Sequence, residues 1–197
     1  MKKVKNYFKG RRKYARMKDM KESGIHTREI SQAVREGVIE KVKPGLYKMK
    51  NSRFDEYSGF VDITKAKKTA VICLTSALAY HELSTINPDT ITVAVPMNTD
   101  KFKLDYPPIR VYYFPESLYP IGIEEKRTSS GKFRIYNAEK TVCDMFRYRN
   151  KLGEDLALEG LKNYLKRKDG SITRLMDYAV KCRVKTIVQP YLKAMVI

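Results

Sequence analysis

The tetrapeptide Lys43-Pro44-Gly45-Leu46 constrains this chain more than any other short stretch. Pro at the second turn position already holds the required φ, and Gly at the third accepts the positive φ of a type II turn. Residues 38–42 and 46–49 on either side include Val38, Ile39, Val42 and Tyr47, which favour strands. The turn therefore closes a short hairpin carrying Lys41, Lys43 and Lys48.

What precedes the hairpin reads as helical. A first short helix from Lys3 to Phe8 would bury Val4, Tyr7 and Phe8, before a basic break at Gly10, Arg11 and Arg12. A second is expected from about Tyr14 to Glu22, with Tyr14, Met17 and Met20 at helical spacing and Ser23-Gly24 closing it. Ile25 would be buried in the turn, and His26 reads as a cap or turn residue. A third helix runs from about Thr27 to Glu36. It places Ile30, Ala33 and Val34 on one face and Arg28, Ser31, Gln32 and Arg35 on the other, both at i, i+3, i+4 intervals.

Charge is concentrated in the same region. Residues 1–53 hold a net charge of +12 out of +18 for the 197-residue chain. A basic unit of this kind suits phosphate neutralisation. An anionic membrane surface is the other candidate, but that wants a long amphipathic helix with bulky apolar anchors, whereas the cations here are spread over short helices and a hairpin.

Helix, glycine turn, helix and basic hairpin is the order of a winged helix-turn-helix, in which the second helix enters the major groove and the hairpin meets the backbone. Arg can bond guanine and Gln adenine through two hydrogen bonds each, and Ser suits base or phosphate. The candidate DNA-contacting set is Thr27, Arg28, Ser31, Gln32 and Arg35 on the third helix, Arg16 and Lys18 on the second, and Lys41, Lys43 and Lys48 on the hairpin. For each, a solvated surface side chain is the alternative.

The remainder suggests a second folded domain. Residues 54–68 read as a linker between a domain at 1–53 and another at 69–197. Thr69 to Leu83 is strongly apolar and expected to be one buried helix. Strands are expected at Thr90–Pro96, Ile109–Phe114, Ile121–Arg127 and Lys132–Tyr136. Asn137 is placed to cap a helix running to about Tyr148, followed by helices at about Glu154–Lys166, Ser171–Cys182 and Lys185–Met195. The expected class is α+β, with a small, mainly antiparallel sheet, about five helices in this domain, and helices on one face of the sheet.

Cys73, Cys143 and Cys182 are widely spaced and odd in number, which argues against a disulfide framework and for a cytoplasmic setting. The longest apolar stretch, Thr69–Tyr80, falls short of the roughly 20 residues that span a bilayer.

Four stretches together resemble the AbiEi-type antitoxins, transcriptional regulators of bacterial abortive-infection (type IV toxin-antitoxin) systems. They are Val42-Lys43-Pro44-Gly45-Leu46-Tyr47, Ser76-Ala77-Leu78-Ala79-Tyr80-His81-Glu82-Leu83, Ile91-Thr92-Val93-Ala94-Val95-Pro96 and Tyr136-Asn137-Ala138-Glu139-Lys140-Thr141-Val142-Cys143-Asp144. The resemblance implies a repressor that binds double-stranded operator repeats and controls its own operon. Its second domain would counter a co-encoded nucleotidyltransferase-like toxin without a stable complex. Glu82 departs from the pattern, standing where the family has a small residue such as Gly, a change that bears on how that helix ends.

Enzymatic readings compete with this one. Pro88-Asp89 followed by Glu124-Glu125-Lys126 imitates a metal-dependent nuclease, with carboxylates for the cation and Lys for the attacking water. A basic RNA- or macromolecule-binding protein is a further alternative. His81-Glu82 lacks the second His of a zinc protease, Cys143-Asp144 has no His nearby in sequence, and Ser76 has no glycine-flanked elbow. Phosphate-cradling glycine loops are also missing. A non-enzymatic protein without cofactor or metal is the expectation.

Overall fold

The computed structural model describes residues 2–9, 13–50 and 55–196. The basic break at Gly10, Arg11 and Arg12 and the expected domain boundary at residues 53 and 54 lie outside the described residues.

Helix α1 (Lys2–Tyr7) buries Val4, and Phe8 beyond it is buried too. The helix expected from Tyr14 is shorter than its spacing suggested: Tyr14–Arg16 form strand β1, and only Met17–Glu22 form α2. Tyr14, Met17 and Met20 are compatible with a helix, but residues 14–16 pair with a strand further along, a contact no local period reports. Gly24, at φ +76°, lets the chain leave α2 and turn into α3 (Thr27–Arg35). Strands β2 (Ile39–Lys43) and β3 (Leu46–Met49) follow, with Gly45 at φ +78° between them, as the turn requires. The three strands form an antiparallel sheet in the order β1-β3-β2.

Side-chain alternation gives this sheet two unlike faces. Ala15, Ile39 and Tyr47 join Val4, Met20, Ile25, Ile30 and Ala33 in a core shared with the three helices. Tyr14, Lys48 and Glu40 form a row across the opposite face, in register.

The stretch expected to be a linker contains α4 (Ser58–Ala66), which buries Val61, Asp62 and Ile63. The single helix expected over 69–83 is instead strand β4 (Val71–Ile72) followed by α5 (Leu74–Tyr80). A continuous apolar run is compatible with either state, and periodicity alone does not separate them. Strands β5 (Ile91–Pro96), β6 (Ile109–Phe114), β7 (Ile123–Arg127) and β8 (Lys132–Tyr136) complete a five-stranded sheet in the order β6-β5-β4-β8-β7.

This sheet is mixed rather than mainly antiparallel. β5 with β6 and β4 with β8 are parallel, while β4 with β5 and β7 with β8 are antiparallel. Residues 97–108 cross back to bring β6 alongside β5 in the same direction, a span of the length that parallel connections need.

Both faces of the sheet are covered, where cover on one had been expected. Ile72, Val93, Val95, Phe133 and Ile135 pack with Val61 and Ile63 of α4. Val71, Ala94, Phe114 and Tyr136 on the other face meet a helical layer. That layer consists of α6 (Ala138–Arg147), α7 (Arg149–Leu152), α8 (Glu154–Lys166), α9 (Ile172–Lys181) and α10 (Lys185–Val196). Asn137 caps α6 as expected, its side chain accepting the Lys140 N–H at 2.9 Å.

Glu82 stands at a backbone position that suits glycine. It adopts φ +55° after α5, with its N–H on the Ala79 carbonyl and the Leu83 N–H on that of Leu78, both at 2.9 Å. This is a left-handed helix end, which glycine adopts without steric cost and glutamate does not.

Candidate nucleic-acid interface

Helix α3 is held from its inner face and offered to solvent on the other. Ile30 and Ala33 are buried, whereas Thr27, Arg28, Ser31, Gln32 and Arg35 are exposed. His26 is the residue before the first turn, as expected of a cap, and its N–H donates to the Glu29 carboxylate at 2.9 Å. That backbone donor holds the Glu29 carboxyl below its ordinary pKa. Gln32 donates its side-chain amide to Glu36 at 2.7 Å, so binding a base edge would require it to exchange that bond. Arg16 and Lys18 are exposed, with Lys18 3.9 Å from Glu22.

The hairpin lysines do not behave alike. Lys41 is exposed. Lys43 is half-buried and donates to the Ala66 carbonyl at the end of α4, at 2.5 Å. Lys48 is only 6% exposed, and its ammonium lies 2.5 Å from Asp62 Oδ2 and 2.9 Å from Glu40. The placement of Lys48 corrects its reading as a backbone contact. It sits on the middle strand, on the face that receives α4, and Asp62 arrives there to neutralise it.

Asp62 organises this seam. Its second oxygen accepts from the Tyr14 hydroxyl at 2.7 Å, so two side chains that are remote in sequence converge on one carboxylate. Burial raises the Asp62 carboxyl, outweighing the opposite pull of Lys48 and Tyr14. Burial would lower Lys48, but its bonds to Asp62 and Glu40 carry it above the ordinary lysine value. Tyr14 is driven well above its usual range by burial and by Asp62.

Sequence reasoning missed a further basic group. Lys65, Lys67 and Lys68, at and just past the end of α4, line one cleft with Arg16 and the hairpin turn. The signal is the run Lys65-Ala66-Lys67-Lys68, which lies in the stretch read as a linker.

The nuclease residues are not brought together. Asp89 precedes β5 while Glu124 lies on β7, three strand spacings away, or about 14 Å across the sheet. Glu124 is paired instead with Lys126 at 2.7 Å. Cys143 is buried, and Ser76 Oγ accepts the Thr92 N–H at 2.9 Å within the core. Among the described residues, no three His, Cys, Asp or Glu side chains cluster as metal ligands would.

The sequence of the first segment has a counterpart among known families. Residues 2–48 match the family described as "Transcriptional regulator, AbiEi antitoxin". The AbiEi match takes in α1 through most of β3, including all of α3 and the hairpin turn. The stretches at 76–83, 91–96 and 136–144 that carry the resemblance further along the chain lie outside it. No curated protein matches the chain. Among the described residues, no helix is long and apolar enough to cross a membrane.

Proposed function

We propose that the chain is a cytoplasmic, non-enzymatic DNA-binding repressor of antitoxin type, whose segment 2–50 works as a winged helix-turn-helix with β2 and β3 as the wing. The observation that carries the reading is the exposed row Arg28, Ser31, Gln32 and Arg35 on a helix anchored by Ile30 and Ala33, inside a segment that matches AbiEi regulators. Arg35 and Gln32 contact base edges in the operator repeats, while Arg16, Lys18, Thr27, Lys41 and Lys43 contact phosphate. The remainder of the chain forms the domain that counters a co-encoded nucleotidyltransferase-like toxin, and the protein represses its own operon.

A salt-titrated binding assay tests this with duplex from the gene's own promoter against a scrambled duplex of equal length. The expected preference is about 10³-fold or more at physiological salt. Arg35→Ala or Gln32→Ala should erode that preference, whereas Lys41→Ala should weaken both duplexes alike. Equal affinity of the intact protein for both duplexes would refute the reading.

A further inference from the structure

Building on that reading, we infer that a basic cleft between the hairpin turn and the end of α4 is a second docking surface for the phosphodiester backbone of the same duplex, extending its footprint past the segment that reads bases.

The cleft has a volume of about 360 Å³, and five of its nine lining residues are basic: Arg16, Lys43, Lys65, Lys67 and Lys68. None is acidic. It adjoins a second, mixed cleft of about 430 Å³, which shares Arg16, Leu46, Lys65 and Lys68 and adds Lys132 and Arg134 from β8 together with the carboxylates of Asp19 and Glu125, the latter paired with Lys132.

Some cations of the molecule are already neutralised. Lys48, Lys126, Lys132, Lys140, Arg167 and Arg174 each have a carboxylate partner. Among the described residues, Arg16, Lys65, Lys67 and Lys68 take part in no ion pair, and Lys65, Lys68 and Arg16 are exposed. Like charges gathered without counter-charge repel one another, and a polyanion relieves that repulsion.

The ground beneath them is also prepared for an anion. The closing carbonyls of a helix bear partial negative charge, which would repel phosphate at the end of α4. Here Lys43 covers the Ala66 carbonyl at 2.5 Å and Arg134 covers that of Lys68 at 2.8 Å. One closing carbonyl of α4 and one just past the helix are thereby masked by cations. Position favours a duplex over another polyanion. Gly45 of the turn accepts the Met17 N–H at 2.8 Å, so the cleft is fixed to the first residue of α2 and hence to the unit that carries α3.

The test uses the full chain and its triple variant Lys65→Gln, Lys67→Gln and Lys68→Gln, which keeps most of each side-chain stem and is checked by thermal unfolding. Two promoter duplexes are compared, one limited to the preferred site and one with flanking sequence. In the intact protein the longer duplex should bind more tightly and with a steeper salt dependence. The variant should lose that advantage, its logarithmic salt slope falling by roughly 2 to 3, while its preference for promoter over scrambled sequence is retained. An unchanged slope in a folded variant overturns the inference. So does a loss confined to single-stranded DNA or RNA. Failure of the functional reading looks different: the intact protein would then show no promoter preference at any duplex length.

Discussion

Two lysine–aspartate pairs in this molecule have the same chemistry and separation but different surroundings. Lys48 and Asp62 meet at 2.5 Å on the seam between the first sheet and α4, and Lys140 and Asp144 meet at 2.5 Å inside the second core. At the seam both members of the pair have a second partner: Lys48 also reaches Glu40, and Asp62 also accepts from Tyr14. In the core Lys140 and Asp144 are fully buried one turn apart on α6, with the ammonium 4.9 and 4.8 Å from the ring centres of Phe114 and Tyr136. Asp144 Oδ2 has no hydrogen-bond partner among the described residues. The seam therefore distributes its charge over four side chains, whereas the core confines it to one pair flanked by aromatic faces. The lesson is that neutralisation and satisfaction are separate requirements, and the core meets only the first in full.

The comparison is broken most forcefully by Lys140→Met. It leaves Asp144 without its counter-charge, and chemical denaturation should register a loss of about 3–5 kcal/mol. Adding Asp144→Leu should recover most of it, because an apolar pair of similar volume suits that environment. A double variant no more stable than the single one would show that the pair holds α6 in place in some other way.

At the seam, Asp62→Asn should cost less, about 1–3 kcal/mol, since Glu40 still faces Lys48. The loss should be accompanied by faster hydrogen exchange in β1 and β3. Exchange unchanged there would mean that the row Tyr14-Lys48-Glu40 does not depend on α4.

Acidity sharpens the contrast. Burial raises the Asp144 carboxyl, against the pull of Lys140, so the folded state holds that proton more tightly than the unfolded chain. Its contribution to stability is thus fully present below the unfolded carboxyl range and is lost as pH rises through the folded value, at up to about 1.4 kcal/mol per pH unit. Asp144→Asn should flatten the decline over that window in a series of urea midpoints. An identical profile would place the pH dependence elsewhere.

The smallest effect concerns backbone rather than charge. Glu82→Gly relieves the left-handed position after α5 and should raise stability by about 1 kcal/mol, read as a higher denaturation midpoint. A lower midpoint would show that the glutamate side chain contributes more than its backbone costs.

What the sequence made legible follows the reach of each signal. Helix α3 and its exposed face, the hairpin turn and the Asn137 cap are local patterns, and the structure has them where the residues indicated. The exposure of Arg28, Gln32 and Arg35 follows from a period that Ile30 and Ala33 already set. Strand β1, the parallel pairing of β5 with β6 and the burial of Lys48 depend on partners remote in the chain, and no local period encodes them. Lys48 is the instructive case: a lysine between Tyr47 and Met49 alternates outward correctly, but outward here is where α4 lies. Lys65, Lys67 and Lys68 were visible as charges and missed because their segment was taken for a linker rather than a helix.

The seam also governs how the molecule can be taken apart. A fragment ending near Lys50 would keep the exposed face of α3 and lose α4, turning Tyr14 and Lys48 toward water and stripping Val42 and Leu46 of their contact with Ala66. Nucleic-acid affinity measured on such a fragment would mix the native recognition surface with a lysine, Lys48, released from its pairing with Asp62. Dissection would thus manufacture part of the affinity it set out to locate, and the intact chain with single substitutions is the cleaner instrument.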